Sequence, residues 1–287
     1  MPDLLAVYRI SSGGYAKLKP AYITKENCLR NFLRTVKAYD AGRSDGWTRV
    51  AILADMCTPE LMDAIRGAVS DLELTSKCLL CELRLGSGAQ SFNFACVTLA
   101  KCKMDPLTTV YMVEDDYLHT PGALGVMRRG LDLEKFVTGY DHPDKYGRDA
   151  FGKPSKTSSV VTREYPRSHE SGCGLMFHEG RHYRQTLSTT MTFMCRLASL
   201  TEAWLPMMAY TSRTHPHDFQ LWLDVCQRLD TRIAVPIPGV STHGESEWLG
   251  PCVDWAAVGG ASEASASAGE VSGADEASAS AAAGAVA

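Results

Sequence analysis

A chain of 287 residues, 45% hydrophobic and 22% charged, can bury a full core and has an ordinary globular composition. No apolar run approaches the roughly 18 residues that cross a bilayer, and Asp3 stands where a signal peptide would carry its basic region. The net charge of −4 is accounted for by Glu263, Glu270, Asp275 and Glu276. The neutral body that remains excludes a broad electrostatic footprint for nucleic acid.

The ten cysteines do not suggest a disulfide framework. Cys28, Cys57, Cys96, Cys102, Cys195 and Cys226 fall in apolar or helical patterns, where a free thiol behaves as a small hydrophobe. Cys78 and Cys81 form the only CxxC, with no second pair to complete a zinc site. Reduced thiols and a cytoplasmic location are expected.

In chain order, Leu4 to Ile10 reads as a first strand ending in the flexible loop SSGGY. Thr24 caps a helical pattern carrying Leu29, Phe32, Leu33 and Val36. Arg49 to Ala54 is a second strand, ending on Asp55. Thr58-Pro59-Glu60 starts a helix that runs to about Val69. Leu79 to Leu85 is a third strand, followed by Gly86-Ser87-Gly88 and a helix over Ser91 to Lys103. Then comes Val110 to Leu118, VYMVEDDYL, an apolar run interrupted by Glu114, Asp115 and Asp116. Strands alternating with helices predict an α/β fold with a mostly parallel sheet and right-handed crossovers. Each strand ends in a polar group, and such ends together line a ligand crevice in open α/β sheets.

The second half is less regular. A helix follows Pro121 to about Leu131, and Phe136 to Tyr140 is a short strand. Residues 142–172 are loop-rich, with a β-like segment at Ser159 to Glu164. Gly174 to Phe177 and Thr189 to Met194 read as strands, Leu197 to Leu205 and Pro216 to Leu229 as helices, and Ile233 to Val235 as a last strand. From Gly259 onward only Ala, Ser, Gly, Val and acids occur, so residues 259–287 form a disordered tail beyond a domain of 1–258.

Three adjacent carboxylates repel one another and resist burial, so something positive should share their site, either basic side chains or a divalent cation. Oxygen ligands favour Mg²⁺ or Mn²⁺ over zinc; a solvated acidic turn is the bland alternative. Asp218 opens a helix, where the helix dipole alone favours an acid and a general base could stand. His243, in the polar turn STHGE, is either solvated or a ligand beside Asp116. His178 to His182 matches HExxH literally, but Gly180 and the preceding strand-like GLMF argue against the helix that zinc hydrolysis requires. Gly86-Ser87-Gly88 is no P-loop, since no GK[ST] follows. Ser188 to Thr190, Trp248 and Trp255 read as packing or strand residues in their own right.

With those residues laid out, the chain resembles nucleotide-sugar-dependent glycosyltransferases of the GT-A fold, closest to small family-2-like members of large DNA viruses and bacteria. The resemblance runs from about Val7 to Trp255 through YRISSGGYAKLKP, ENCLRNF, LADMC, SFNFA, VYMVEDDYLHTPGAL, YDHPDKY, STTMTF, THPHDFQ and PGVSTHGESEWLGP. It implies a nucleotide-binding half over 1–120 and an acceptor and catalytic half over 121–258. Tyr8, Arg9, Ser11 and Asp55 would hold the nucleoside, with Ser87 and Asn93 near ribose or diphosphate. Glu114 to Asp116 takes the Asp-x-Asp position, with Asp116 and Glu114 as metal ligands, Asp115 nearby, and His243 as a C-terminal metal or diphosphate contact. Asp218 would be the base of an inverting transfer. The cofactor implied is Mn²⁺ or Mg²⁺, the donor a nucleotide sugar, and the acceptor a glycan, protein or lipid-linked hydroxyl. Two departures stand out: the triplet begins with Glu, and the usual Glu-Asp base pair is His217-Asp218. A sugar nucleotidyltransferase is an alternative, since SSGGYAKLK carries Lys17 and Lys19 without that family's spacing. An inactive GT-A-like binding protein is another.

Overall fold

The fold is built around β1 (Leu4–Ser11), whose buried side chains alternate between two apolar layers. β2 (Thr48–Asp55) and β4 (Thr109–Glu114) flank it in parallel, and β3 (Cys78–Leu83) pairs outside β2. The computed structural model describes residues 3–14, 17–43, 47–143, 174–212 and 216–260. Beyond β4 the sheet continues through β9 (Phe193–Arg196), β6 (Phe136–Val137), β10 (Ile233–Ile237), β8 (Arg181–Thr186) and β7 (Leu175–His178). β9 runs antiparallel to both β4 and β6, and β10 runs parallel to β6. A separate antiparallel pair joins β5 (Tyr117–His119) to β11 (Ser241–His243).

Helices cover both faces. α1 (Lys25–Ala41), α2 (Pro59–Asp71) and α4 (Ala123–Gly130) contribute Leu29, Phe32, Ile65, Leu124 and Met127 to one core, against Tyr8, Ile52 and Tyr111. α3 (Gly88–Lys101), α5 (Leu197–Tyr210) and α6 (Asp218–Arg228) contribute Phe92, Leu99, Leu200 and Trp222 to the other, against Val7, Val110, Met112 and Phe193. A short α7 (Trp255–Val258) packs Trp255 near Leu118. Caps agree with the sequence: the Thr24 and Thr58 hydroxyls accept N–H bonds from Asn27 and Leu61. This is the mixed, mostly parallel α/β sheet flanked by helices that the sequence leads one to expect.

Differences have local causes. The strand expected over Thr189 to Met194 begins only at Phe193, because Thr190 and Thr192 direct their hydroxyls to Tyr117 and Glu114. The strand expected over Phe136 to Tyr140 is shorter; Tyr140 forms only an isolated bridge to Ser241. β8 escapes sequence reading because RHYRQT has little apolar alternation, though it pairs with β7 and β10. HExxH lies on the β7–β8 hairpin, with Glu179 (φ 44) and Gly180 (φ 76) at its turn, so its two histidines occupy different strands rather than one helix face. The segment Ser159 to Glu164 and the tail from Ala261 lie outside the described residues. The described cysteines are all free, and no helix among the described residues is long and apolar enough to cross a membrane.

His119 locks β5 to the core. Its Nε2 lies 2.7 Å from the Tyr111 hydroxyl, and its ring packs on Phe32. Burial drives its pKa down to about 3. The unfolded chain takes up that proton near 6.5, so the contribution of His119 is complete above that pH and is lost as pH falls from about 6.5 toward 3. Urea unfolding at neutral pH and again two units below 6.5 should therefore show His119→Gln losing about 2–3 kcal/mol less than the parent. Equal losses would contradict the burial of a neutral imidazole.

Candidate active site

Strand register brings the polar strand ends to one rim. Arg9 pairs opposite Glu114 and Ser11 opposite Asp55, so the ends of β1, β2 and β4 lie level. They border a cleft of about 1500 Å³ that also takes in Gly86 to Gly88, Lys17, Lys19, Lys25, Asp218, His243 and Trp248.

The three acids do not share one environment. Glu114 is turned toward Thr192, whose hydroxyl donates to Oε2 at 3.1 Å, and toward Arg9 at 3.4 Å. Burial raises its pKa despite Arg9. Asp115 Oδ2 accepts from the Ser11 N–H at 3.0 Å and from Lys25 Nζ at 2.7 Å, pinning the ends of β4 and β1 together. Its pKa is also raised by burial, against the pull of Lys25. Asp116 Oδ2 meets Lys19 Nζ at 2.8 Å and His243 Nε2 at 3.2 Å. Burial would raise its pKa as well, but His243 and then Lys19 outweigh that and hold it far below the usual carboxylate range. The reciprocal effect raises His243: Asp116 outweighs the burial that would lower it.

His243 reaches Asp116 because the turn expected around it is strand β11, which places His243 opposite Tyr117. Its Nδ1 faces Glu245 at 3.4 Å, and its ring packs on Tyr117. A carboxylate behind a ligating imidazole fixes its tautomer and orientation. Gly244 makes the approach possible: a Cβ there would collide with Ile23 Cγ2 and lie 2.8 Å from the Asp116 carbonyl oxygen.

Asp218 stands at the first turn of α6 and borders the same cleft. Its Oδ1 accepts from the Phe219 N–H at 2.8 Å. Burial raises its pKa; the Phe219 N–H and the fields of His142 and His243 oppose the shift. Tyr140, His142 and Trp248 form an adjoining aromatic wall, with ring separations of 4.9 and 5.2 Å between neighbours.

Several expected site residues have other duties. Tyr8 lies on the opposite face of β1 from Arg9, fully buried and stacked on Phe32, so it does not border the cleft. Asn93 is also displaced: its amide donates to the Thr211 carbonyl at 2.9 Å and ties α3 to the end of α5. Asp55 borders the cleft, but its carboxylate accepts the N–H groups of Leu85 (2.6 Å) and Gly86 (2.9 Å), holding the loop before α3. Ser87 caps α3, accepting from Gln90 at 3.2 Å. Arg9 donates to the Gly88 carbonyl at 3.0 Å and is only 6% exposed. Glu114 does not converge with Asp116 and His243, because Arg9 and Thr192 hold it.

The donor set at Asp116 and His243 fits a divalent cation through one carboxylate oxygen and one imidazole nitrogen, with further positions for water and substrate oxygens. Among the described residues, one group of three has its ligand atoms within 4.8 Å of one another, Asp132 after α4 with His178 and Glu179 of the β7–β8 hairpin; it lies apart from the cleft residues. Sequence reading missed Lys25, Thr192 and Glu245. Lys25 did carry a signal, since a base in the first turn of a helix opposes the dipole and implies an anion nearby.

No protein-family model and no curated protein sequence matches the chain. Among solved structures it is similar to GalNAc-T7 with UDP, GalNAc and Mn²⁺ (10% identity, 84% of this chain and 42% of that chain, TM-score 0.48). It is similar also to the mannosyltransferase PcManGT of Pyrobaculum calidifontis with GDP-Man and Mn²⁺ (14%, 82% and 56%, 0.47). A third is S. aureus TarS 1–349 with UDP (13%, 86% and 59%, 0.46). The chain spans about half the length of these three.

Gly244→Ala should strain the contact of β11 with Asp116 and cost about 1–3 kcal/mol in urea unfolding. Parental stability in that variant would mean that the two segments do not approach as described.

Proposed function

We propose that the cleft binds a nucleoside diphosphate sugar and transfers the sugar to an acceptor hydroxyl. The observation that carries this reading is the convergence of Asp116 and His243, from segments far apart in sequence, on a crevice that Asp218 also borders. A parallel sheet's carboxyl edge is where such a ligand belongs.

In this reading the nucleoside lies over the β1–β2 rim beside Ser11 and Ser87, with its diphosphate toward Asp116. Asp116 and His243 would hold the cation, and the imidazole favours Mn²⁺ over Mg²⁺. When bound, the cation acts as a Lewis acid, neutralising charge on the departing nucleoside diphosphate. Glu245 keeps His243 oriented, and Asp115 with Lys25 keeps the rim closed. Asp218 takes the proton of the acceptor hydroxyl. The oxygen forms its bond to the anomeric carbon as the bond to the phosphate oxygen breaks, and this single displacement inverts the anomeric configuration. The transferred sugar is a hexose or an N-acetylhexosamine, and the acceptor a glycan, protein or lipid-linked hydroxyl. A sugar nucleotidyltransferase is the second reading, favoured by Lys17, Lys19 and Lys25 around the cleft; pyrophosphate release from a nucleoside triphosphate and a sugar 1-phosphate would identify it.

A thermal-shift screen of UDP- and GDP-sugars with Mn²⁺ should find a donor that raises Tm, since a native-state ligand stabilises the fold. With that donor, Asp116→Ala should lose the Mn²⁺-dependent shift. Asp218→Asn should keep it while kcat falls about 10²–10⁴-fold. Because burial raises Asp218, the acid limb of the parental kcat profile should lie above the ordinary carboxylate value of about 4. An Asp218→Asn variant that turns over at the parental rate would place the base elsewhere.

A further inference from the structure

Each acid of the triplet is matched by a base from the first strand or the segment after it: Arg9 with Glu114, Lys25 with Asp115 and Lys19 with Asp116. The three pairs differ in how their bases are held. Arg9 is anchored on the Gly88 and Met191 carbonyls and lies over the Phe92 ring at 5.3 Å. Lys25 opens α1 and donates also to the Gly13 carbonyl at 2.8 Å. Lys19 belongs to the irregular segment before Pro20, and the contact the structure gives its ammonium is Asp116 Oδ2. The backbone beside it is tied to the β11 side of the cleft: the Ser246 N–H donates to the Leu18 carbonyl at 3.0 Å, and Lys17 pairs with Glu245.

Asp116 Oδ2 is also the oxygen that faces His243, so Lys19 and a divalent cation compete for one atom. Two cations on one carboxylate oxygen repel strongly in a partly buried site. Resting on the transferase reading above, we infer that Lys19 is an exchangeable counter-ion. It neutralises Asp116 in the empty cleft and transfers to the donor's diphosphate when a divalent cation binds. The tether at Leu18 keeps the ammonium at the rim after it leaves Asp116, where the diphosphate is the new anion. A divalent cation and a dianionic diphosphate together leave the net charge of the site unchanged. Either one alone does not, so Lys19 makes their binding mutually dependent, and that coupling is reciprocal.

The test uses the full chain, with free Mn²⁺ counted by electron paramagnetic resonance, alone and with UDP or GDP. The parent should bind Mn²⁺ weakly alone and at least about tenfold more tightly with a nucleotide. Lys19→Met should bind Mn²⁺ alone about tenfold more tightly than the parent, through loss of the competing charge. In Mn²⁺ it should bind the nucleotide about tenfold more weakly, because a charge-assisted hydrogen bond to phosphate is gone. Lys19→Arg should retain the parental pattern in Mn²⁺ alone. Lys37→Met, which removes a surface lysine paired with Glu73, controls for net charge and should change neither affinity. If Lys19→Met binds Mn²⁺ no more tightly than the parent, or keeps the full coupling, the exchange is overturned. If neither parent nor variant binds Mn²⁺ with either nucleotide, the metal site itself fails, and the proposed function with it.

Discussion

Three consecutive carboxylates end a buried strand, and the neighbouring segments are arranged to offset their charge. Burial penalises each negative charge, and Glu114 and Asp115 still feel that penalty as raised pKa values. Asp116 alone is driven far the other way, because His243 and Lys19 converge on one of its oxygens. The fold tolerates the triplet because three neighbouring segments deliver a base to each acid. An uncompensated buried carboxylate would instead stay protonated.

The sheet supplies that geometry cheaply. A parallel register sets the ends of β1, β2 and β4 level, so Arg9, Ser11, Asp55 and Glu114 meet without a special loop. The more demanding part is the return of the chain from β10 to β11, which lays His243 against Tyr117 and across Asp116. Gly244 permits that approach, and Glu245 backs the imidazole. Asp55, although it borders the cleft, spends its oxygens on the Leu85 and Gly86 amides and so shapes the loop that leads into α3.

Much of the first half was legible in the sequence, since each strand is a short apolar run bounded by a cap or a Gly-rich turn. The acids could be placed at a strand end by the same logic. Tyr8 and Arg9, however, cannot both face the cleft, because adjacent strand residues point to opposite faces; alternation alone would have set Tyr8 in the core. Asn93 was misplaced for the helical equivalent of that reason: its turn of α3 faces Thr211, while Ser91 borders the cleft. The Asp116–His243 contact spans too much sequence for any spacing rule to find; the residues left His243 open between a solvated turn and a ligand beside Asp116, and the resemblance favoured the second. β8 stayed hidden because its sheet position, not its own polar sequence, makes it a strand.

Anomalous diffraction at the manganese edge, from crystals grown with Mn²⁺ and UDP or GDP, would locate the cation in the cleft. A peak about 2.0–2.3 Å from both Asp116 Oδ2 and His243 Nε2 is expected. A peak at Asp132, His178 and Glu179 instead, or an Asp116 carboxylate that touches no cation, would contradict it.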